Sequence, residues 1–389
     1  MLKTEKSKLA VLAIDEARLK RFAIDAPALS RLYARIEKDI AANMYPGAAV
    51  ALARHGEIVC AETFGQARLA QLEDGVPAQA ADSDTLWLLY SQTKPVTSCA
   101  LWILTERGML SLHTPVAFYI PEFARHGKEN VTVYHLLTHQ SGFPNECVSP
   151  DAWSNKELLH QTICDFKLDY EPGSQVSYHS YASHWVQALL IETLTGCDFR
   201  DFIKAEILDP LQLHNFFVGV PDSAVGRLAG AYEWAGGEHQ RSLDFDKAEF
   251  YASGMPGAGG YATAEDLALF YQMLLANGSF RGVRLLSPDM VRYATRNHTG
   301  DRPDQFFGSP MHRGLGVHVR GNTPTIRGLG STASPATFGH GGVGTSYTFA
   351  DPNSGVSFSY LTNSRLSDPA HSKRLDEIMT MAHAAVNDC

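Results

Sequence analysis

The stretch LLYSQTKPVTS, residues 88–98, sets a serine three residues ahead of a lysine. A serine hydroxyl is a weak nucleophile until a neighbouring base takes its proton. On a helix or tight helical turn, positions i and i+3 face the same way, so Lys94 reaches Ser91. Pro95 has no N–H and belongs in a first helical turn, which puts Ser91 at or just before a helix N-terminus. There its own N–H is free to help bind a developing oxyanion, and the helix dipole favours negative charge. The spacing alone is weak, because a chain of this size carries about one Ser-x-x-Lys by chance. The competing reading is an N-cap serine beside a solvated lysine. A lysine is also a poor base at pH 7, and lowering its pKa from about 10.4 to about 7 corresponds to roughly 4 to 5 kcal/mol of differential interaction between its two protonation states. Burial or a cationic neighbour supplies such a shift, and the aliphatic run LWLLY suits burial. A second titratable group is expected elsewhere in the chain.

Four further segments carry suitable residues. EPGSQVSYHSYASHWVQALLIE, residues 171–192, is a Pro-Gly turn, a short piece holding Tyr178 and Ser180, then a helix. LLTHQSGFP, residues 136–144, ends a helix in a Ser-Gly turn. FGHGGVGTSYTFADPNSG, residues 338–355, sets His340, Gly341 and Gly342 at the entrance to a C-terminal hairpin. GMPGAGGYATAEDLALFYQMLLANG, residues 254–278, is a Gly-rich loop feeding a helix capped near Thr263. Taken with TLWLLYSQTKP at 85–95, their order and spacing resemble the serine-reactive β-lactamase-like superfamily, and within it the class C β-lactamases and family VIII carboxylesterases. The resemblance runs from about residue 30 to 365.

The resemblance implies that Ser91 is the acylated nucleophile and Lys94 its partner. Tyr178 takes the place of the tyrosine in the family's Tyr-x-Asn motif, where phenol and amine share proton traffic and titrate as a unit. His340-Gly341-Gly342 fits the third motif, Lys-Thr-Gly or a variant such as His-x-Gly, on the strand edging the site. Glycines there admit a substrate close to the backbone. By the same correspondence the N–H groups of Ser91 and Val343 form the oxyanion hole.

Two positions depart from the pattern. Ser180 stands where asparagine is usual, and a hydroxyl lacks the amide's fixed donor and acceptor, which weakens the case for holding a β-lactam side chain. His340 replaces the lysine that would pair with a penicillin carboxylate; with a reference pKa near about 6.5 it is neutral at pH 7. Neutral esters are therefore favoured over anionic lactams or D-alanyl peptides. Trp153 and Trp234 lie in loop-rich stretches and are candidate contacts for the acyl or alcohol group. Trp87, Trp102 and Trp185 read as core, and His139, Gln140 and Ser141 as residues shaping a loop. The expected activity is a cofactor-free serine carboxylesterase that acylates Ser91 with a short to medium acyl group and hydrolyses the acyl-enzyme. The alternatives are an acyltransferase, a β-lactamase or D-amino-acid peptidase, and a non-catalytic scaffold on the same fold.

The elements that must position these groups are legible in part. The 389 residues are 44% hydrophobic and 19% charged, which suits a well-buried core, and a net charge of −9 with no run of five basic residues gives no footprint for a nucleic acid. LAVLAI at 9–14 meets Asp15 and Glu16 at once. It is shorter than the roughly 7 to 15 residues of a secretory core and the about 20 of a membrane span. A cytoplasmic protein without a membrane partner is expected. The six cysteines (Cys60, Cys99, Cys147, Cys164, Cys197, Cys389) form no C-x-x-C and read as scattered thiols. HExxH and GxxxxGK[ST] are missing, so no metal or nucleotide is expected. GHGGVG at 339–344 is followed by a strand-like run where a dinucleotide fingerprint needs a helix.

Leu29, Leu32, Ile36 and Ile40 line one face of a helix over 28–42. AAVALAR and EIVCAETFG flank His55-Gly56 as a hairpin, TSYTFA and VSFSYLTN flank DPNSG as another, and 372–387 is helical. Residues 110–215 read as mostly helical, with HWVQALLIETLT at 184–195 the clearest case, and 296–340 as a long irregular region able to line a site. Strands near both termini around a helical middle suggest one sheet made from the two ends. The resemblance completes this as an α+β fold, an α/β sandwich: an antiparallel sheet flanked by helices, with the site in a cleft beside an inserted helical subdomain. The expected layout is a single catalytic domain over 1–389, its α/β part at 1–95 and 250–389 and the helical insertion at 96–249.

Overall fold

The computed structural model describes residues 15–70, 75, 77–323 and 328–387. LAVLAI and Cys389 lie outside the described residues. Asp15 accepts from the Arg18 N–H at the start of α1 (Glu16–Arg21), and Asp25 from the Ala28 N–H at α2 (Ala26–Ala41), as short carboxylates do at N-caps. α2 buries the expected Leu29, Leu32 and Ile36 row. β1 (Gly47–Arg54) and β2 (Glu57–Arg68) are joined through His55 and Gly56, both at positive φ, the turn whose twist matches antiparallel strands. β3 (Gln79–Ala80) pairs with the far edge of β2.

β4 (Trp87–Leu88) leads into a 3-10 turn at Tyr90–Thr93 and then α3 (Lys94–Glu106). The helical middle follows: α4 (Val116–Tyr119), α5 (Val133–Leu137), α6 (Lys156–Cys164), α7 (Ala182–Thr195) and α8 (Phe199–Ile203). α7 contains the 184–195 pattern and packs against α3. The 96–249 span is not purely helical. It also holds β5 (Phe216–Val218) and the hairpin of β6 (Tyr232–Ala235) and β7 (Glu238–Arg241). After α9 (Ala248–Ser253), β8 (Gly260–Ala262) pairs with both β4 and β5. The strand that leads to Ser91 is thus stitched to both sides of the boundary placed at 249. Strands of three or four residues carry too little periodicity to be told from loops.

α10 (Ala264–Leu275) is capped by the Thr263 hydroxyl, as expected. Two short hairpins, β9 (Ser279–Phe280) with β10 (Val283–Arg284) and, after α11 (Pro288–Ala294), β11 (Pro303–Asp304) with β12 (Ser309–Pro310), precede the C-terminal strands. These are β13 (His318–Val319), β14 (Phe338–Gly341), β15 (Tyr347–Asp351), β16 (Val356–Thr362) and β17 (Ser364–Arg365), followed by α12 (Ala370–Ala384).

The seven-stranded main sheet runs β13-β14-β15-β16-β1-β2-β3, each neighbour antiparallel. The two ends of the chain meet where β1 pairs with β16, Val50 opposite Tyr360. β1 alternates in size rather than polarity. Ala48, Val50 and Leu52 pack in one core with α2 and α12, while Ala49, Ala51 and Ala53 share the other core with α10. Small side chains on that face let the helix lie close. Among the described residues, no helix is long and apolar enough to cross a membrane.

Candidate active site

The chain reaches Ser91 through a kink. Tyr90 has φ 48°, a left-handed conformation that costs a bulky residue on the order of 1–3 kcal/mol and persists only where the surroundings dictate it. β8 supplies those surroundings. The Leu89 N–H donates to Gly260 O at 2.9 Å, and Thr93 Oγ1 donates to Tyr90 O at 2.7 Å while accepting from the Gly260 N–H at 2.9 Å. Pro95 lies in the first turn of α3, with Ser91 in the 3-10 turn just ahead of it.

Lys94 is fully buried. Its Nζ lies 3.1 Å from Ser91 Oγ and 2.8 Å from each of two backbone oxygens, those of Ser180 and Gly257. Burial, reinforced by the Arg313 charge, holds its pKa well below the ordinary lysine value. An uncharged amine has two N–H bonds and one lone pair. The two carbonyls take the N–H bonds, which leaves the lone pair for the Ser91 hydroxyl. Ser180 thus contributes its carbonyl. Gly257 comes from the Gly-rich loop, where a Cβ would stand 3.3 Å from His184 Cβ and 3.4 Å from Lys94 Nζ. A bare backbone keeps that contact open.

The Tyr178 ring centroid lies 5.1 Å from Lys94 Nζ. Burial raises the phenol's pKa, and the neighbouring Ser91 side chain and the Arg313 charge offset only part of that rise. Both members of the lysine–tyrosine pair are therefore pushed toward their neutral forms, amine and phenol.

Behind the tyrosine sits an ion pair that sequence reasoning missed. Arg313 and Asp304 are buried and paired, with Nη2 at 2.5 Å and Nε at 3.2 Å from Asp304 Oδ2. Asp304 Oδ1 accepts from the N–H groups of Tyr178 at 3.2 Å and Phe306 at 3.0 Å. The Arg313 guanidinium stands 4.9 Å from the Tyr178 ring centroid. Both residues belong to the 296–340 region expected to line a site, whose Arg and Gly content was the available signal.

A set of histidines completes the surroundings. His139 packs on the Tyr178 ring at 4.7 Å, and its Nδ1 accepts from the His179 N–H at 3.1 Å. His139 therefore supports the tyrosine as well as its own loop. His179 Nδ1 donates to Ser177 O at 2.7 Å and its Nε2 accepts from the Phe143 N–H at 3.2 Å. Burial lowers the pKa values of His139, His179 (to about 3) and His184.

His340 is buried on β14, its Nδ1–H donating to Gly341 O at 2.9 Å and its ring 4.1 Å from that of His318. Burial, then the Lys94 charge, keep its pKa well below 6.5. β14 packs against the Ser91 turn. Gly342 allows this approach, since a Cβ there would lie 2.8 Å from Leu89 O. Val343 follows in the turn beyond the strand and is exposed.

The two candidate tryptophans separate. Trp153 lines a cavity of about 270 Å³ with Tyr181, Trp185, Phe245 and Phe250. Trp234 projects from β6 at 40% exposure, against His239 at 4.8 Å, and does not line that cavity. Trp87, Trp102 and Trp185 are buried, as expected.

A serine, a lysine and a tyrosine gathered beside the edge of an antiparallel sheet is the arrangement of the serine hydrolases of the β-lactamase fold. The family model described as Beta-lactamase matches residues 33–380, and the chain belongs to that family. The chain is 28% identical over 320 residues to the Esterase/beta-lactamase LipL of Mycobacterium tuberculosis, covering 73% of this chain and 71% of that one. It is 28% identical over 374 residues to a putative D-alanyl-D-alanine carboxypeptidase of Escherichia coli, covering 86% and 82%. Among solved structures, a penicillin-binding protein homologue from Caulobacter crescentus superposes with a TM-score of 0.79 at 26% identity, covering 93% of this chain and 98% of that one. A family VIII carboxylesterase superposes at 0.77 with 25% identity, covering 92% and 98%. The expected fold class and the expected family both hold.

Proposed function

We propose that this chain is a serine carboxylesterase that hydrolyses neutral esters through an acyl-enzyme on Ser91. The observation that carries the reading is the Lys94 amine, buried between two carbonyl oxygens and 3.1 Å from Ser91 Oγ. As Ser91 Oγ attacks the ester carbonyl carbon, its proton passes to the Lys94 lone pair. The carbonyl oxygen becomes the oxyanion, for which the Ser91 and Val343 N–H groups are the candidate donors. Collapse expels the alcohol, whose oxygen takes a proton from Tyr178 or Lys94. Water then repeats the sequence on the acyl-enzyme, giving up a proton to the same pair and releasing the acid and the Ser91 hydroxyl.

Preference for esters over anionic lactams or D-alanyl peptides is supported by the two groups most able to meet a carboxylate. His340 is held neutral, and the Arg313 charge is committed to Asp304. A cytoplasmic location belongs to the same proposal. The five described cysteines are free thiols, the state a reducing compartment maintains. Initial rates on p-nitrophenyl acetate and butyrate, with nitrocefin and a D-alanyl-D-alanine peptide in parallel, test the reading. Ester turnover well above the other two is expected, with a loss of about 10⁴-fold or more in Ser91→Ala. Faster nitrocefin or peptide turnover contradicts the ester preference.

A further inference from the structure

We infer that Arg374 is a positioning residue for acyl transfer: from α12 it fixes the turn after β14, so that the Val343 N–H is held toward the substrate oxyanion. The inference rests on the esterase reading and adds to it the group that keeps one of its two oxyanion donors in place.

The turn is built so that one donor is left over. The Thr345 N–H donates to Gly342 O at 3.2 Å, and the Gly342 N–H donates to Ser346 O at 2.8 Å. Gly344, third of the four residues Gly342 to Thr345, has φ 67°, as a type II turn requires. The Val343 N–H enters neither bond and has no partner among the described residues. Packing does not hold Val343 either, since it is 49% exposed. An oxyanion donor acts over only about 2.7–3.1 Å, so a loose turn would lose it. The turn needs a brace from elsewhere in the fold.

Arg374 is placed to be that brace. Its Nη2 donates to Thr345 O and, at 3.3 Å, to Gly344 O. Gly344 O also accepts from the Leu366 N–H at 2.9 Å, whereas among the described residues Arg374 is the only donor to Thr345 O. Arg374 is 1% exposed. Its Nε and Nη1 have no hydrogen-bond partner among the described residues, and Nη2 meets only the two carbonyls and His371 Nδ1, 3.2 Å away. This buried charge therefore has no carboxylate beside it. The rings of Tyr45 and Tyr360, with centroids 5.1 and 5.7 Å from the guanidinium, offset part of the cost of burying it. An apolar side chain would pack on those rings without that cost. What the guanidinium adds is a charged grip on the turn, and a charged donor makes a hydrogen bond roughly twice as strong as a neutral one.

The test compares 4-nitrophenyl acetate with 4-nitrophenyl thionoacetate, in which sulfur replaces the carbonyl oxygen. In both, Ser91 Oγ bonds to the carbonyl carbon, its proton passes to Lys94 and nitrophenolate leaves, so kcat/KM reports acylation. Sulfur is larger and a weaker acceptor, so donors aimed at the oxyanion speed the oxygen ester far more. Arg374→Met keeps an apolar side chain between the rings and lowers the oxygen-to-sulfur ratio of kcat/KM about tenfold or more. Arg374→Lys keeps the charge but not the planar group stacked on the rings, and lowers the ratio about threefold. Each ratio is taken within one variant, so loss of folded protein cancels. If Arg374→Met yields no folded protein, the Arg374→Lys ratio decides alone. If native enzyme turns over both esters through Ser91 and the variants slow them equally, Arg374 serves folding only: the inference is overturned and the esterase reading stands. If native enzyme turns over neither ester, both fall together.

Discussion

A lysine enclosed between two carbonyl oxygens is costly as an ammonium and well matched as an amine, and Lys94 has that setting. The groups facing it are Tyr178, Arg313 with its partner Asp304, and the rings of His139, His179, His184 and His340. Of these only Arg313 adds a fixed positive charge. Because Lys94 acts as an amine, activity rises with pH as it loses its proton. Its lowered pKa therefore sets the acid limb of kcat/KM below the ordinary lysine range. Removing the Arg313 charge raises the Lys94 pKa, so Arg313→Gln combined with Asp304→Asn shifts that limb to higher pH, while Arg313→Lys leaves it nearly in place. A pH–rate profile of the three proteins checks this, and an unmoved limb in the double variant removes Arg313 from the account. The single change Asp304→Leu strands a buried guanidinium and is expected to cost about 3–5 kcal/mol of stability in urea unfolding.

The elements explain why the site was only partly legible in the sequence. Ser91, Lys94 and Pro95 lie in one turn, where spacing speaks directly. Tyr178 and His340 needed the family pattern, because nothing local separates a proton-handling tyrosine from a packed one. Asp304 reaches the Tyr178 N–H across 126 positions of sequence, and no periodicity reports such a contact. The clamp of β8 on the Ser91 turn was hidden for the same reason: three residues of strand, Gly260–Ala262, do its work. Thr93 is its centre, with one hydroxyl serving Tyr90 O and the Gly260 N–H. Thr93→Val leaves both groups unpaired in the interior and is expected to cost about 1–3 kcal/mol, together with a lower kcat as the strained Tyr90 relaxes. Urea unfolding and steady-state kinetics on the same preparation check the pair of effects. A stability loss with unchanged kcat separates the clamp from catalysis.

At the scale of the whole molecule, the sheet made from both chain ends was legible because each hairpin carries its own turn, His55-Gly56 and DPNSG. What joins the hairpins was not. Gln272 of α10 donates to Ala53 O and Ser357 Oγ, each at 3.0 Å, and accepts from the Gly56 N–H at 2.8 Å. One buried amide thus ties β1, the first hairpin turn and β16 to the helix beneath them. Gln272→Leu is expected to lower the unfolding free energy by about 1–3 kcal/mol, with the kcat/KM of the folded fraction retained, as chemical denaturation and activity on the same sample report. The sheet in turn holds β14 against the Ser91 turn, so the fold matters to the chemistry through that contact. The central claim, that Ser91 carries the acyl group, is tested most directly by acid-quenching the enzyme during turnover of a slow ester and locating the adduct by peptide mass mapping. An acyl mass on the peptide containing Ser91, missing in Ser91→Ala, is the predicted result. An adduct on another residue, or full turnover by Ser91→Ala, contradicts it.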